Sequence, residues 1–433
     1  MIANRNKELV DRLIKVLRDH DITGYAGEDF EIDLKVLIEQ VEDVEFDIDK
    51  INDETLIFPE ISGVEEYTSI KVRDFLDIFE SIESAKINDS QSYACNEYEA
   101  YFLLEFPDYD TYTFLQGIVE KNSDIVNIEN TTSKFWEMDY LIDGVEYNIS
   151  LFNGLCLYHF LVEKSGNFDK YYPSFNDDFF IRIASNSEIN LEVCDKLAMS
   201  YMFEIQSTLG LALEFSAGRA EIFEFSGDDT KTISEGSNRI FPLLYGKGIN
   251  ELQKIYYKAK TSDDLDYRIL NYTQILEYIA PTIAQFDLHE TIRTKLLSNV
   301  VLNPTAEYIN ELGKIYKIYQ DTVVKDSDLI KLAIEKVIDF DSVWSELAPI
   351  IKIKNAPFNE GNLSNYINST SKVVYDTRNE IAHAKANYAK TGNECPEKLK
   401  EQFCRVLDKF AVTSIRWFAT QQEEKRVILS YIK

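Results

Sequence analysis

No stretch of about eighteen apolar residues occurs in this 433-residue chain, so no segment of it reads as a membrane-spanning helix. The opening residues, MIANRNKELVDRLIKVLRDHD, lack the unbroken apolar run and small-residue cleavage site of a secretion signal. They are amphipathic instead, with Leu9, Leu13, Ile14 and Leu17 on one helical face. Cysteine is sparse, five in all, odd in number and widely scattered, which argues against a disulfide framework and for a reducing cytoplasm. Cys395 and Cys404 lack the close paired spacing of a zinc site and read as ordinary thiols. Gly246-Lys247-Gly248 lacks both the length of a P-loop and the Lys-Ser/Thr that ends one.

Histidine is scarce too, with four in the chain. His289 stands beside acids with no second ligand at helical spacing. His20 falls near a helix end, where the dipole suits it. His159, in the apolar run LCLYHFL, reads as a buried, hydrogen-bonded core residue. These placements give no metal site and call for no cofactor.

What the chain has in excess is acid. Its formal net charge is −30, and the excess is all in front. From Ile240 onward 26 Lys and Arg stand against 25 Asp and Glu, whereas residues 1–239 hold 19 basic against 50 acidic residues. The front half is a polyanion that would attract a basic protein or trigger, or would repel nucleic acid; charge serving solubility alone accounts for it equally well. The polar, glycine-containing segment SGDDTKTISEGSNR, Ser226 to Arg239, falls where the charge changes and reads as a linker.

Two domains follow. Residues 1–235 mix strand and helix signals. VEDVEFDIDKI alternates Val44, Phe46 and Ile48 with acids, SIKVRDFLDIFESIESAK has helical spacing, and FFIRIA and AEIFEFS are strand candidates. Asp143–Gly144, between two β-rich runs, predicts a hairpin. This is an acidic α+β domain with a sensing or regulatory role. Residues 240–433 are helical throughout and predict an all-α bundle. Ile269, Tyr272, Ile275, Leu276 and Ile279 form one stripe. A second helix, opened by Asn303–Pro304 as cap and first-turn proline, carries Ile309, Leu312, Ile315, Tyr316 and Tyr319. The last carries Leu399, Phe403, Val406, Leu407, Phe410 and Trp417. All three stripes read as core.

The remaining histidine, His383, lies in YDTRNEIAHAKANY, five residues after Arg378. Five residues turn an ideal helix through about 140°, so Asn379 rather than Arg378 would share the face of His383. Thr377 followed by Glu380 matches a capping box, which would start a helix at Arg378 and aim its first-turn amides at an anion. Lys385 and Lys390 make the stretch cationic. An imidazole that titrates near neutrality can carry protons, and a guanidinium fork can hold phosphate oxygens. On the residues alone, a surface arginine and a histidine packed beneath the last helix remain an open alternative.

TRNEIAHA resembles the Arg-polar-x-x-x-His motif of the HEPN superfamily, specifically its Apea-like branch. PLLYGKGINELQKIYYKAKTSDDLDYRILNYTQILEY is similar to the opening helices of that branch. The resemblance covers roughly Ile240 to Lys433 and not the acidic half. It implies a HEPN-like bundle, homodimerisation, and often metal-independent RNA cleavage in bacterial antiviral defence or toxin–antitoxin settings. Arg378 and His383 then match the catalytic positions, Asn379 the polar position after the arginine, and Glu277 an acidic position bordering the site. Lys385 and Lys390 would contact RNA, tRNA being one candidate substrate. The competing expectation is a non-catalytic, dimerising scaffold that binds RNA or a partner protein.

Overall fold

The computed structural model describes residues 2–27, 32–39, 51–60, 68–107, 109–122, 133–165, 178–218, 240–323, 325–353, 357–383 and 389–428. The strand expected around Val44–Ile48, the AEIFEFS strand, the linker from Ser226 to Arg239 and Lys385 lie outside these residues. The chain divides into two compact units, Met1–Leu243 and Leu244–Lys433. The first is α+β and the second helical.

The first unit opens with α1 (Ile2–Asp19), whose Leu9, Leu13, Ile14 and Leu17 are buried as their spacing predicts. A four-stranded antiparallel sheet follows in the order β2-β1-β3-β4, from β1 (Gly24–Ala26), β2 (Ile32–Asp33), β3 (Leu56–Pro59) and β4 (Ile70–Lys71). Two helices go with it, α2 (Leu34–Glu39) and α3 (Val72–Ser81). The second sheet is larger. Its path runs β5-β6-β7-β10-β9-β8, from β5 (Lys86–Ile87), β6 (Tyr93–Cys95), β7 (Glu99–Glu105), β8 (Ser133–Ile142), β9 (Val145–Asn153) and β10 (Phe179–Ser185), with β11 (Glu214–Phe215) on β7. Helices α4 (Tyr109–Asn122), α5 (Leu157–Lys164) and α6 (Leu191–Glu204) complete the unit.

The hairpin forms at Asp143–Gly144. Ile142 pairs with Val145, and Asp143 and Gly144 take φ of 51° and 83°, the two positive angles that a two-residue type I′ turn requires. FFIRIA is the central strand β10, whose Phe180 and Ile181 are fully buried. Tyr101, Phe152 and Phe180 of the sheet pack with Phe75, Phe79, Tyr158 and Phe160 of α3 and α5 in one aromatic core. Across β8 a bulge interrupts the register between Phe135 and Met138. There the Tyr201 hydroxyl accepts the Leu151 N–H at 2.9 Å and lies 3.2 and 3.1 Å from the Phe135 and Trp136 carbonyls.

The second unit contains α7 (Ile249–Lys260), α8 (Leu265–Leu296), α9 (Ala306–Val323), α10 (Asp326–Val337), α11 (Phe340–Ile350), α12 (Leu363–Ala382) and α13 (Lys400–Ala419). The 32-residue α8 is its axis. Asp264 caps it by accepting the Asp266 and Tyr267 N–H groups, and its stripe from Ile269 to Ile279 is buried against α7, α10, α12 and α13. Pro281 sits inside α8. It has no N–H to offer the Glu277 carbonyl one turn earlier, so the helix loses a bond just where Glu277 projects. Among the described residues no helix is long and apolar enough to cross a membrane.

Local expectations fail in two places, α9 and Thr377. Helix α9 starts at Ala306, with the Thr305 hydroxyl accepting the Tyr308 N–H at 3.2 Å, while Asn303 ends a 3-10 turn over Asn299–Leu302. Nor is its stripe core: Ile309 and Tyr316 are exposed, and Leu312, Ile315 and Tyr319 are half-buried. The second failure concerns Thr377 and bears on the site.

Candidate functional site

No helix starts at Arg378. α12 begins fifteen residues earlier, at Leu363, and ends at Ala382, so Thr377 to Glu380 lie in its closing turns. The segment LSNYINSTSKVVYDT is rich in hydroxyl and β-branched residues, which are mediocre helix formers. Burial decides the matter: Tyr366, Ile367, Thr370, Ser371, Val373, Val374 and Thr377 form a continuous inward stripe. Thr377 is fully buried, and its hydroxyl accepts the Cys395 N–H at 2.8 Å rather than capping a helix start. The helix therefore presents closing carbonyls at this point, and the amide cradle expected for an anion is not there. The His383 N–H itself donates to the Asn379 carbonyl at 2.9 Å.

Three of the expected residues meet. Arg378 Nε lies 3.2 Å from Glu277 Oε1 on α8, and Arg378 Nη1 donates to Asn379 Oδ1 at 3.0 Å. Both charged side chains are about three-quarters buried, at 25% and 24% exposure. The Arg–Glu contact is one of charge more than of alignment, because Glu277 Oε1 has no well-directed hydrogen-bond donor among the described residues. Burial pushes the Glu277 carboxyl above the usual carboxylate range, and nearby Asp326 adds to the rise. The Arg378 charge pulls the other way without overcoming it.

His383 stands apart. It is exposed at the C-terminal cap of α12. Among the described residues no hydrogen bond or ion pair joins its ring to Arg378, Asn379 or Glu277. The alternative of a histidine sealed under the last helix does not hold. Lys390 is exposed and has an acidic neighbour. Its ammonium sits 2.5 Å from Glu380 Oε1, which pulls its pKa upward.

A tether that the sequence reading missed fixes the end of α12. Asp376 Oδ2 accepts from the Thr391 hydroxyl at 2.7 Å and from Asn393 Nδ2 at 2.9 Å. The Glu394 carboxylate takes the Thr391 and Gly392 N–H groups, and Lys352 Nζ donates to the Gly392 carbonyl. Thr391-Gly392-Asn393 is a turn signal in the sequence, and Gly392 takes a φ of 84°. Which acids it would recruit was not legible.

A Cys–His–Asp triplet also escaped the sequence reading. Cys156 Sγ lies 3.6 Å from His159 Nδ1, and His159 Nε2 lies 3.3 Å from Asp178 Oδ2. The spacing is that of a nucleophile, base and orienting acid, but the connections are those of a helix cap. His159 Nδ1 accepts the Cys156 N–H at 3.1 Å, which places the ring proton on Nε2, facing Asp178. With that lone pair occupied, the ring cannot take the thiol proton. Burial also drives the Cys156 thiol well above its ordinary pKa. His159 is fully buried, as the apolar run suggested.

No group of three or more His, Cys, Asp or Glu among the described residues is arranged to hold a metal ion. The other two histidines stay apart from these groups: His20 packs against Phe79 with ring centroids 4.7 Å apart and the planes tilted by 50°, and His289 is exposed. Burial raises both thiols of the second unit, Cys395 to about 12 and Cys404 to about 11. Comparison of the chain with known protein families, with curated proteins and with solved structures returned no match.

Proposed function

We propose that the helical unit is an endoribonuclease module of HEPN type, cutting RNA without a metal ion and assembling its site from two copies of the chain. The observation that carries the reading is the closing turn of α12. There an exposed imidazole follows within five residues of a guanidinium fixed by Glu277 and Asn379. Cleavage of this kind removes the 2′-hydroxyl proton, lets the 2′-oxygen attack phosphorus and protonates the departing 5′-oxygen, giving a 2′,3′-cyclic phosphate. Arg378 would neutralise the charge building on the phosphate oxygens. One histidine per chain cannot act as base and acid in the same step, so a two-fold pair would supply one His383 to each role. On this reading the acidic unit regulates, its excess carboxylates opposing RNA approach over about 8–10 Å at ordinary salt. A place in antiviral defence rests on the family resemblance.

A second reading is favoured by a specific observation: the nearby cations already have partners. Arg378 faces Glu277 and Lys390 faces Glu380, which suits a bundle that binds a partner and cuts nothing. Incubating the purified full chain with total RNA and with tRNA separates the two. The nuclease reading expects cleavage that survives chelators, leaves cyclic phosphate ends and is lost in both Arg378→Ala and His383→Ala. Intact RNA with the wild-type chain, or cleavage that persists in both variants, refutes it.

A further inference from the structure

Helix α9 is held at its first turns. There Tyr308 is buried and donates its hydroxyl to the Lys295 carbonyl at 2.8 Å, and Lys295 Nζ lies 2.6 Å from Glu311 Oε2. Beyond Glu311 the hold is looser. Ile315 and Tyr319, one turn apart, are only half-buried, because they border a cavity of about 320 Å³. Ala284 and Leu288 of α8 and Leu332 of α10 form its other apolar walls. A helix in water draws most of its stability from packing an apolar face, and this part of α9 borders a cavity where the core would be.

One wall is charged. Asp287 stands one turn after Ala284 on α8 and shares its face, as Leu288 and Thr291 do. Its carboxylate is half engaged, since Lys336 Nζ of α10 lies 2.7 Å from Oδ1. That ammonium also stands 5.8 Å over the Phe286 ring and is not part of the cavity wall. Among the described residues no hydrogen bond reaches Asp287 Oδ2. Thr291 donates its hydroxyl to the Asp287 carbonyl at 2.8 Å, which leaves it lone pairs to offer. Two of the three polar side chains on the wall thus accept and do not donate, and the third, the Tyr319 hydroxyl, does either.

We propose that this cavity binds a small aromatic amine, a molecule of two fused rings with a protonated nitrogen on a short arm. An apolar cavity of about 150 Å³ holds one benzene ring, so about twice that volume takes two fused rings. Apolar walls with a few placed polar groups are the usual make-up of a small-molecule site. Tyr319 gives a flat ring an aromatic surface to pack on. The acceptors on the α8 wall select a donor, and an ammonium is the strongest partner for Asp287. A carboxylate on the same rings would meet Asp287 with like charge, so the site discriminates by sign.

This site does not depend on whether Arg378 and His383 cut RNA, and its test reads no activity. Isothermal titration of the full chain with tryptamine is expected to give a Kd of about 0.1 mM or tighter. Indole-3-acetate, with the same rings and the opposite charge, should bind at least about tenfold more weakly. Asp287→Asn keeps the shape and removes the charge; it should weaken tryptamine about tenfold and close the gap between the two compounds. Ala284→Leu fills part of the space and should weaken tryptamine at least about tenfold without lowering the melting midpoint. No tryptamine binding up to about 5 mM, indole-3-acetate bound as tightly by the wild type, or tryptamine affinity unchanged in either folded variant overturns the proposal.

Discussion

Replacing Glu277 with Gln tests whether the Arg378–Glu277 pair is a stabilising feature or a strained one. Two opposite charges at about this separation attract by roughly 4 kcal/mol at the effective dielectric of a protein surface. Taking each ion three-quarters out of water costs several kcal/mol before any attraction is counted. The direction of the Glu277 shift says which effect wins. Its carboxyl is raised above its ordinary value although a guanidinium lies beside it, so burial, with Asp326 adding to it, outweighs the attraction. A carboxyl whose folded pKa is raised favours folding when protonated. That favourable contribution is complete below the unfolded value and is lost as pH rises through the folded value.

Glu277→Gln keeps the shape, keeps an oxygen for Arg378 and removes the buried charge. At pH 7 it should leave the bundle's urea midpoint unchanged or raise it, with a gain of about 0–1 kcal/mol. The gain should vanish as the wild type is acidified towards pH 4.5. Glu277→Ala, which removes the carboxylate beside Arg378 and leaves it the bond to Asn379, should instead cost about 1–2 kcal/mol. The assay is urea denaturation of the three proteins at several pH values. A loss above about 2 kcal/mol for Glu277→Gln at neutral pH, or a gain that grows on acidification, refutes the reasoning.

Thr377→Val keeps the bulk of a buried residue but removes the acceptor for the Cys395 N–H; it should cost about 1–3 kcal/mol and speed hydrogen exchange at that amide. Gly24→Ala and Gly144→Ala should differ sharply in melting temperature. A Cβ at Gly24 meets the Phe58 carbonyl oxygen at 2.0 Å, which backbone cannot yield without breaking the β1–β3 pairing, and the cost should be about 3 kcal/mol or more. At Gly144 the space is open, and only the positive φ opposes a side chain, a cost of about 1–2 kcal/mol.

The elements legible in the sequence are those whose signal is local and agrees with what packs on them. Asp143–Gly144 specifies its own turn, and the α8 stripe from Ile269 to Ile279 reports a face that is covered along its length. The start of α12 was not legible, because its residues favour a helix only once Tyr366, Val373 and Val374 are buried. The Thr377–Glu380 pattern misled for a related reason. Both residues have the chemistry of a capping box, but in the fold each is taken by a distant partner, Cys395 for one and Lys390 for the other. The α9 stripe gave the helix correctly and its cover wrongly, since periodicity marks an apolar face and not what lies against it. The Arg378–Glu277 contact joins residues about a hundred positions apart, and only the family resemblance pointed to it. The Cys156–His159 cap hides in an apolar run, where a histidine gives no hint of which lone pair is occupied.

The reversal of α12 changes what an anion would find at this helix end. A helix start offers free amides and the positive end of the dipole, whereas a helix end offers carbonyls and repels phosphate. Any phosphate near Arg378 is therefore held by side chains against the backbone field. The guanidinium has five N–H groups in a fixed fork. Its Nε–H faces Glu277 and one Nη1 hydrogen goes to Asn379, so among the described residues part of the fork is committed to holding its plane. In the proposed site Glu277 is the residue that holds the guanidinium in place while its own carboxyl is raised by burial, and the Glu277→Gln comparison measures what that arrangement costs the fold.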